Sequence, residues 1–183
     1  MIELRDLTVT LGDKRVFDNY SEELSDEGIV IVSGESGIGK TTLLRVLCGL
    51  VKPEHGKVTG LSGRKISVVF QEPRLLDDLT ALENVALVSD RIKAEKLLDS
   101  LNMKDELHVK AASLSGGQKQ RVSLARAFAF SDDVVLLDEP FTGLDEQNKQ
   151  KAAGLIGTAR LAIVVTHDAA DAELLHCNRK IQL

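Results

Sequence analysis

The sequence is short of aromatic residues. One tyrosine, five phenylalanines and no tryptophan make up 3% of its 183 residues. Proteins that hold single-stranded nucleic acid stack bases on such rings, so that partner is poorly provided for. There is no basic run either, and the formal charge is −5, which argues against nucleic acid and anionic membrane surfaces alike. Cysteine is limited to Cys48 and Cys177, with neither metal-ligand nor redox spacing, which suits a reducing compartment. Long apolar runs are missing: none approaches the roughly 18 residues of a membrane span. The opening MIELRD carries charge where a secretory leader needs apolar residues. The chain is therefore expected to be soluble.

What is present suffices for a core. Hydrophobic residues make up 43% of the chain, and the length fits one domain, or one domain with an inserted lobe. IELRDLTVTL, from Ile2 to Leu11, alternates as a strand does and turns at Gly12-Asp13. A charged stretch, Ser21 to Glu27, separates it from GIVIVSG, a β-branched run expected to be a buried parallel strand. TTLLRVLCGL sets Leu43, Leu44, Leu47 and Leu50 on one helical face and is expected to stop before Pro53. GKVTG and KISVVF predict two further strands. Helical patterns follow in DDLTALENVALV, DRIKAEKLLDSLN and GGQKQRVSLARAFAF. Strands return at DVVLLD and LAIVV, with a helix expected from Glu146 to Ala159 between them.

Residues 34–41, GESGIGKT, fit G-x-x-x-x-G-K-[ST] between a predicted strand and a predicted helix, the context this motif requires. Gly34, Gly37 and Gly39 let backbone N–H groups converge on phosphates, and the helix N-terminus adds partial positive charge. Lys40 would reach the β- and γ-phosphates, Thr41 a Mg²⁺ ion, and Thr42 the α-phosphate side. Glu35, Ser36 and Ile38 complete the loop. Asp138 and Glu139 leave an apolar strand where α/β sheets bind ligands; the first suits a Mg²⁺-associated acid, the second a base for attacking water. His167 leaves another buried strand at the same edge, whereas His55, His108 and His176 have no such setting. A second glycine turn follows at Leu114 to Gln118, LSGGQ. Its S-x-x-Q spacing is a capping box. Capping alone does not call for Gly116 and Gly117, each costing about 1 kcal/mol of helix stability.

With these residues in order, the chain resembles the nucleotide-binding subunit of ATP-binding cassette (ABC) transporters over essentially its whole length. LSGGQ matches that family's signature, Gln71 in VVFQEP its Q-loop, VVLLDEP its Walker B strand, Asp145 in GLD its D-loop, and His167 in VVTHD its switch histidine. The resemblance implies an α/β fold: a P-loop NTPase (RecA-like) core, a small N-terminal antiparallel β-subdomain and an inserted helical subdomain. Within one domain, residues 1–27 and 57–66 would form the β-subdomain, 28–56, 67–73 and 130–183 the core, and 74–129 the helical insert. It implies ATP and Mg²⁺ as ligands, catalytic roles for Glu139, His167 and Gln71, and metal ligation by Thr41, Gln71 and Asp138.

Two cassettes would pair head to tail, with Leu114, Ser115, Gly116, Gly117 and Gln118 of one closing over ATP held by the other. A transmembrane subunit is the further partner implied, placing the chain on the cytoplasmic face of the membrane only through it. The runner-up is a non-transport ABC-type nucleotide switch acting on a soluble partner. The chain departs from the family at Leu11, which stands where an aromatic usually stacks on adenine; Phe17 and Tyr20 nearby have the register of core residues. Only 42 residues lie between Gln71 and Leu114, and 16 follow His167, so long coiled-coil insertions and a C-terminal regulatory domain are not expected. FQEPRLLDDLTALENVAL resembles importer cassettes for nitrate, sulfonates or taurine. Cargo choice would rest with other subunits.

Overall fold

Strands β1 (Ile2–Leu11) and β2 (Lys14–Leu24) form an antiparallel hairpin in the computed structural model, which describes residues 1–183. Gly12 takes φ 59° in the two-residue turn, a conformation that favours glycine. β4 (His55–Thr59) pairs antiparallel with β1, completing a three-stranded sheet. The other sheet is wholly parallel: β3 (Gly28–Ser33), β5 (Ile66–Val69), β6 (Val134–Asp138), β7 (Leu161–Val165) and β8 (Arg179–Gln182), in the order β5-β6-β7-β3-β8. Six helices join them: α1 (Lys40–Leu47), α2 (Ala81–Ala86), α3 (Arg91–Ser100), α4 (Gly116–Phe130), α5 (Glu146–Ile156) and α6 (Ala169–Leu174). This is the expected α/β architecture.

Strand periodicity divides the core in two. Ile31, Leu137 and Val164 point from the parallel sheet into a cluster with Val85, Leu98, Leu124 and Ile156 of the helices. Their neighbours Val32, Leu136 and Ile163 point the other way, onto Leu43 and Leu47 of α1 and onto Ile2, Leu4 and Phe17 of the small sheet. The helical segment therefore shares its core with the sheet instead of building one of its own.

Several boundaries differ from expectation, each for a local reason. The charged residues from Ser21 onward do not interrupt the chain: β2 runs to Leu24, with Phe17 and Leu24 buried and acids on its solvated face. α1 ends at Leu47, with Cys48 as its cap, because Gly49 takes φ 77°, leaving Leu50 65% exposed and outside the apolar face. α2 is shorter than its apolar pattern because a Thr80–Glu83 capping box sets its start. α6 and β8 were not expected; β8 buries only Ile181 at the sheet edge, so its sequence carries no alternation to read.

Candidate nucleotide-binding site

The strand order explains the site. Gln71 follows β5, Asp138 ends β6, His167 follows β7 and the glycine loop follows β3. Because these strands are neighbours, residues scattered over about 130 positions of chain meet at one sheet edge. They line a cavity of about 720 Å³.

At its floor, α1 begins with no side-chain cap and no acid in its first turn. Its N-terminal N–H groups thus remain available to an anion. Gly39 takes φ 126°, and a Cβ there would lie 2.6 Å from Val16 Cγ1, so only glycine fits. Lys40 Nζ donates to the carbonyls of Gly34 (2.7 Å) and Glu35 (2.8 Å), holding the loop closed. The Thr41 hydroxyl donates to Asp138 Oδ2 at 2.7 Å. Ser36, Gly37, Thr42 and Gln71 also line the cavity.

Glu139 adopts φ 49°, rare for a side chain of its size, with its N–H held by the Val165 carbonyl at 2.9 Å. Strain of this kind gathers at functional sites. Its Oε1 lies 2.7 Å from His167 Nδ1, which must carry a proton to bond a carboxylate. That hydrogen bond, then the carboxylate charge, raises the His167 pKa above its ordinary 6.5. Since the folded value is the raised one, the stabilisation is fully present below pH ~6.5 and fades as pH rises through the folded pKa. The ring is 77% exposed, so its effect on stability is small. By NMR titration, His167 is expected to show a midpoint above 6.5 that falls toward 6.5 in Glu139→Gln. Identical midpoints in both proteins would contradict the contact.

Leu11 and Val16 form the apolar side of the cavity. Phe17 and Tyr20 stack on each other at 5.2 Å, with Phe17 buried, so neither ring is free for a base. Leu11→Tyr is accordingly expected to tighten ATP binding about tenfold or more, since base stacking on an aromatic contributes roughly 1–3 kcal/mol. An unchanged calorimetric Kd would contradict Leu11 as the base contact. Sequence reasoning missed Lys14, whose ammonium reaches the Gly37 carbonyl at 2.9 Å from the β1–β2 turn and gives the cavity a second cation. No motif marks it; only the hairpin register, which pairs it with Leu11, brings it there.

None of Leu114, Ser115, Gly116, Gly117, Gln118 or Asp145 lines this cavity. Ser115 caps α4 by accepting the Gln118 N–H, and the Gln118 side chain closes the capping box while donating to Glu106. Leu114, expected among the signature contacts, is buried and serves as an anchor instead. The two glycines differ. A Cβ on Gly117 would collide with the Gly143 carbonyl, so that glycine is required by packing within the chain. Gly116 has nothing within 4 Å of such a Cβ, and it lies exposed beside Ser115. Bare backbone at Gly116 faces open space.

The family model described as ABC transporter matches residues 17–142. An aliphatic sulfonates import ATP-binding protein of Rhodococcus jostii is 38% identical over 181 residues, covering 93% of this chain and 67% of the relative. One from Delftia acidovorans is 37% identical over 183 residues, covering 95% and 76%. Among solved structures, a dimeric ATP-binding cassette in a post-hydrolysis state with ADP and Pi superposes with a TM-score of 0.87. It is 30% identical and covers 100% of this chain and 94% of that one. A dimeric bacterial ABC transporter cassette gives 0.85 at the same identity. The family match runs through the glycine loop, the signature turn and Asp138–Glu139, and the chain belongs to the ABC transporter family as an ATP-binding, ATP-hydrolysing cassette.

Proposed function

We propose that the cavity holds MgATP and that hydrolysis there drives a separate transmembrane subunit of an importer. Lys40 and the bare start of α1 take the phosphates, Leu11 the base, and Glu139 orients and deprotonates the attacking water, with His167 and Gln71 beside it. Thr41, Asp138 and Gln71 offer hard oxygen donors that suit Mg²⁺. No group of three or more His, Cys, Asp or Glu side chains could hold a metal, so the ion would take its remaining ligands from phosphate and water. When bound it neutralises phosphate charge.

The observation that carries this reading is the division of the motifs. One set lines the cavity, while exposed Ser115 and Gly116 lie outside it and suit the ATP of a second cassette. The dimeric cassettes among the solved structures support that pairing. We read the chain as one cassette, with residues 1–27 and 57–66 as β-subdomain and 74–129 as the insert that meets the membrane subunit. No helix is long and apolar enough to cross a membrane, so attachment to the cytoplasmic face would come through the partner. The sulfonate-import relatives support an importer. Purifying the chain with what it binds tests this: an integral membrane protein should remain associated. A purely soluble partner would favour the nucleotide-switch alternative.

A further inference from the structure

Nothing in the His167 side chain itself explains its aim at Glu139. The ring is largely exposed and makes one hydrogen bond. The restraint lies behind it. Thr166, 2% exposed, donates its hydroxyl to Asp171 Oδ2 at 2.6 Å and accepts the Asp168 N–H at 3.1 Å. Both bonds meet at the Thr166 hydroxyl; the second spans His167, and together they fix the turn between β7 and α6. Asp171 is itself 4% exposed, and its other oxygen has no hydrogen-bond partner. That oxygen faces Lys149 Nζ at 3.6 Å, and the same ammonium lies 4.0 Å from Asp168.

A buried carboxylate with one hydrogen bond and a partly exposed ammonium as its ion-pair partner is a costly way to pack a short helix. Its place in the first turn of α6 suits a carboxylate, but an exposed acid would serve that helix end as well, so its burial against the Thr166 hydroxyl points to a further role.

Lys149 stands in the first turn of α5, where its backbone N–H bonds the Asp145 carbonyl at 2.8 Å. Asp145 caps the same turn, accepting both the N–H and the side-chain amide of Asn148. A continuous set of contacts therefore runs from Asp145 through the hydrogen-bonded start of α5 to Lys149, Asp171, Thr166 and the His167 backbone. We propose that Thr166 and Asp171 are positioning residues that hold His167 against Glu139, and that Lys149 ties them to Asp145, the residue expected to face the second cassette. Contact at Asp145 then bears on the orientation of His167 within the same chain. The proposal rests on the hydrolytic reading of Glu139 and His167.

Thr166→Val removes both hydrogen bonds at nearly constant volume, and Thr166→Ser restores the hydroxyl. In the full chain, MgATP turnover, nucleotide Kd and the imidazole ¹⁵N spectrum of His167 are measured together. Thr166→Val should lower kcat at least about tenfold with Kd within about twofold, and should abolish the resonance of the Glu139-bonded ring. Thr166→Ser should recover both. Wild-type kcat and an unchanged imidazole spectrum in Thr166→Val would overturn the proposal. His167→Ala is the reference: wild-type turnover there would defeat the catalytic reading, while the spectra, which need no turnover, would still decide the positioning. Should Thr166→Val not fold, Lys149→Met, a partly exposed site, tests the other limb. Its loss of kcat should add nothing to that of Asp145→Ala, whereas fully multiplicative losses would overturn the tie.

Discussion

Glu139→Gln is expected to slow MgATP hydrolysis by at least about a hundredfold while leaving nucleotide affinity within about threefold. The glutamate is held where a base is useful. Its backbone is pinned at φ 49° by the Val165 carbonyl, one oxygen is engaged by His167, and the side chain is only 14% exposed. Glutamine keeps the size and still accepts a hydrogen bond, so the cavity retains its shape; what it loses is the ability to take a proton from water. Affinity should persist because Lys40, Thr41 and the start of α1 lie on other elements. Phosphate release measures the first quantity and titration with a fluorescent ATP analogue the second. Wild-type turnover would remove Glu139 from the mechanism.

Lys40→Ala should weaken MgATP binding by about two orders of magnitude or more. A unit charge pair at 4 Å contributes about 4 kcal/mol at the effective dielectric of a protein surface, and every 1.4 kcal/mol is tenfold. The other cation on the cavity, Lys14, is exposed at the rim and bonded to Gly37, so it cannot replace the lost ammonium at the foot of the loop. Truncation also frees the Gly34 and Glu35 carbonyls that Lys40 now draws together. Calorimetry gives the Kd directly. A value within about threefold of wild type would mean that the phosphates sit elsewhere.

How much of this was legible in the sequence depends on where each signal resides. The glycine loop, Asp138–Glu139 and LSGGQ are local patterns whose spacing is itself the chemistry, and each stood at the predicted strand exit or helix start. The parallel sheet was legible through its uninterrupted β-branched runs. β2, α6 and β8 were not, because edge elements bury too few residues to show a period, as Ile181 alone illustrates. Gly117 has a further reason that the sequence does not show: the Gly143 carbonyl, a contact made across the fold, leaves no room for a Cβ. Lys14, Thr166, Asp171 and Lys149 are ordinary residues in sequence. Only hairpin register and the meeting of α5 with α6 give them neighbours worth noticing.

The pairing of two half-sites is tested most directly by the mass of the Glu139→Gln protein in solution. With hydrolysis blocked, ATP should stay bound between the exposed Ser115–Gly116 turn of one chain and the cavity of another. Size-exclusion chromatography with light scattering at saturating MgATP should then show a dimer that is absent without nucleotide. Adding Ser115→Arg puts a bulky side chain where the second chain's γ-phosphate must sit, and it should return the protein to monomer while each chain's own cavity still binds ATP, with the part of the affinity that dimerisation supplied removed. A Glu139→Gln protein that binds MgATP yet stays monomeric, alone and with its membrane partner, or a double variant that still dimerises, would contradict the two-half-site structure.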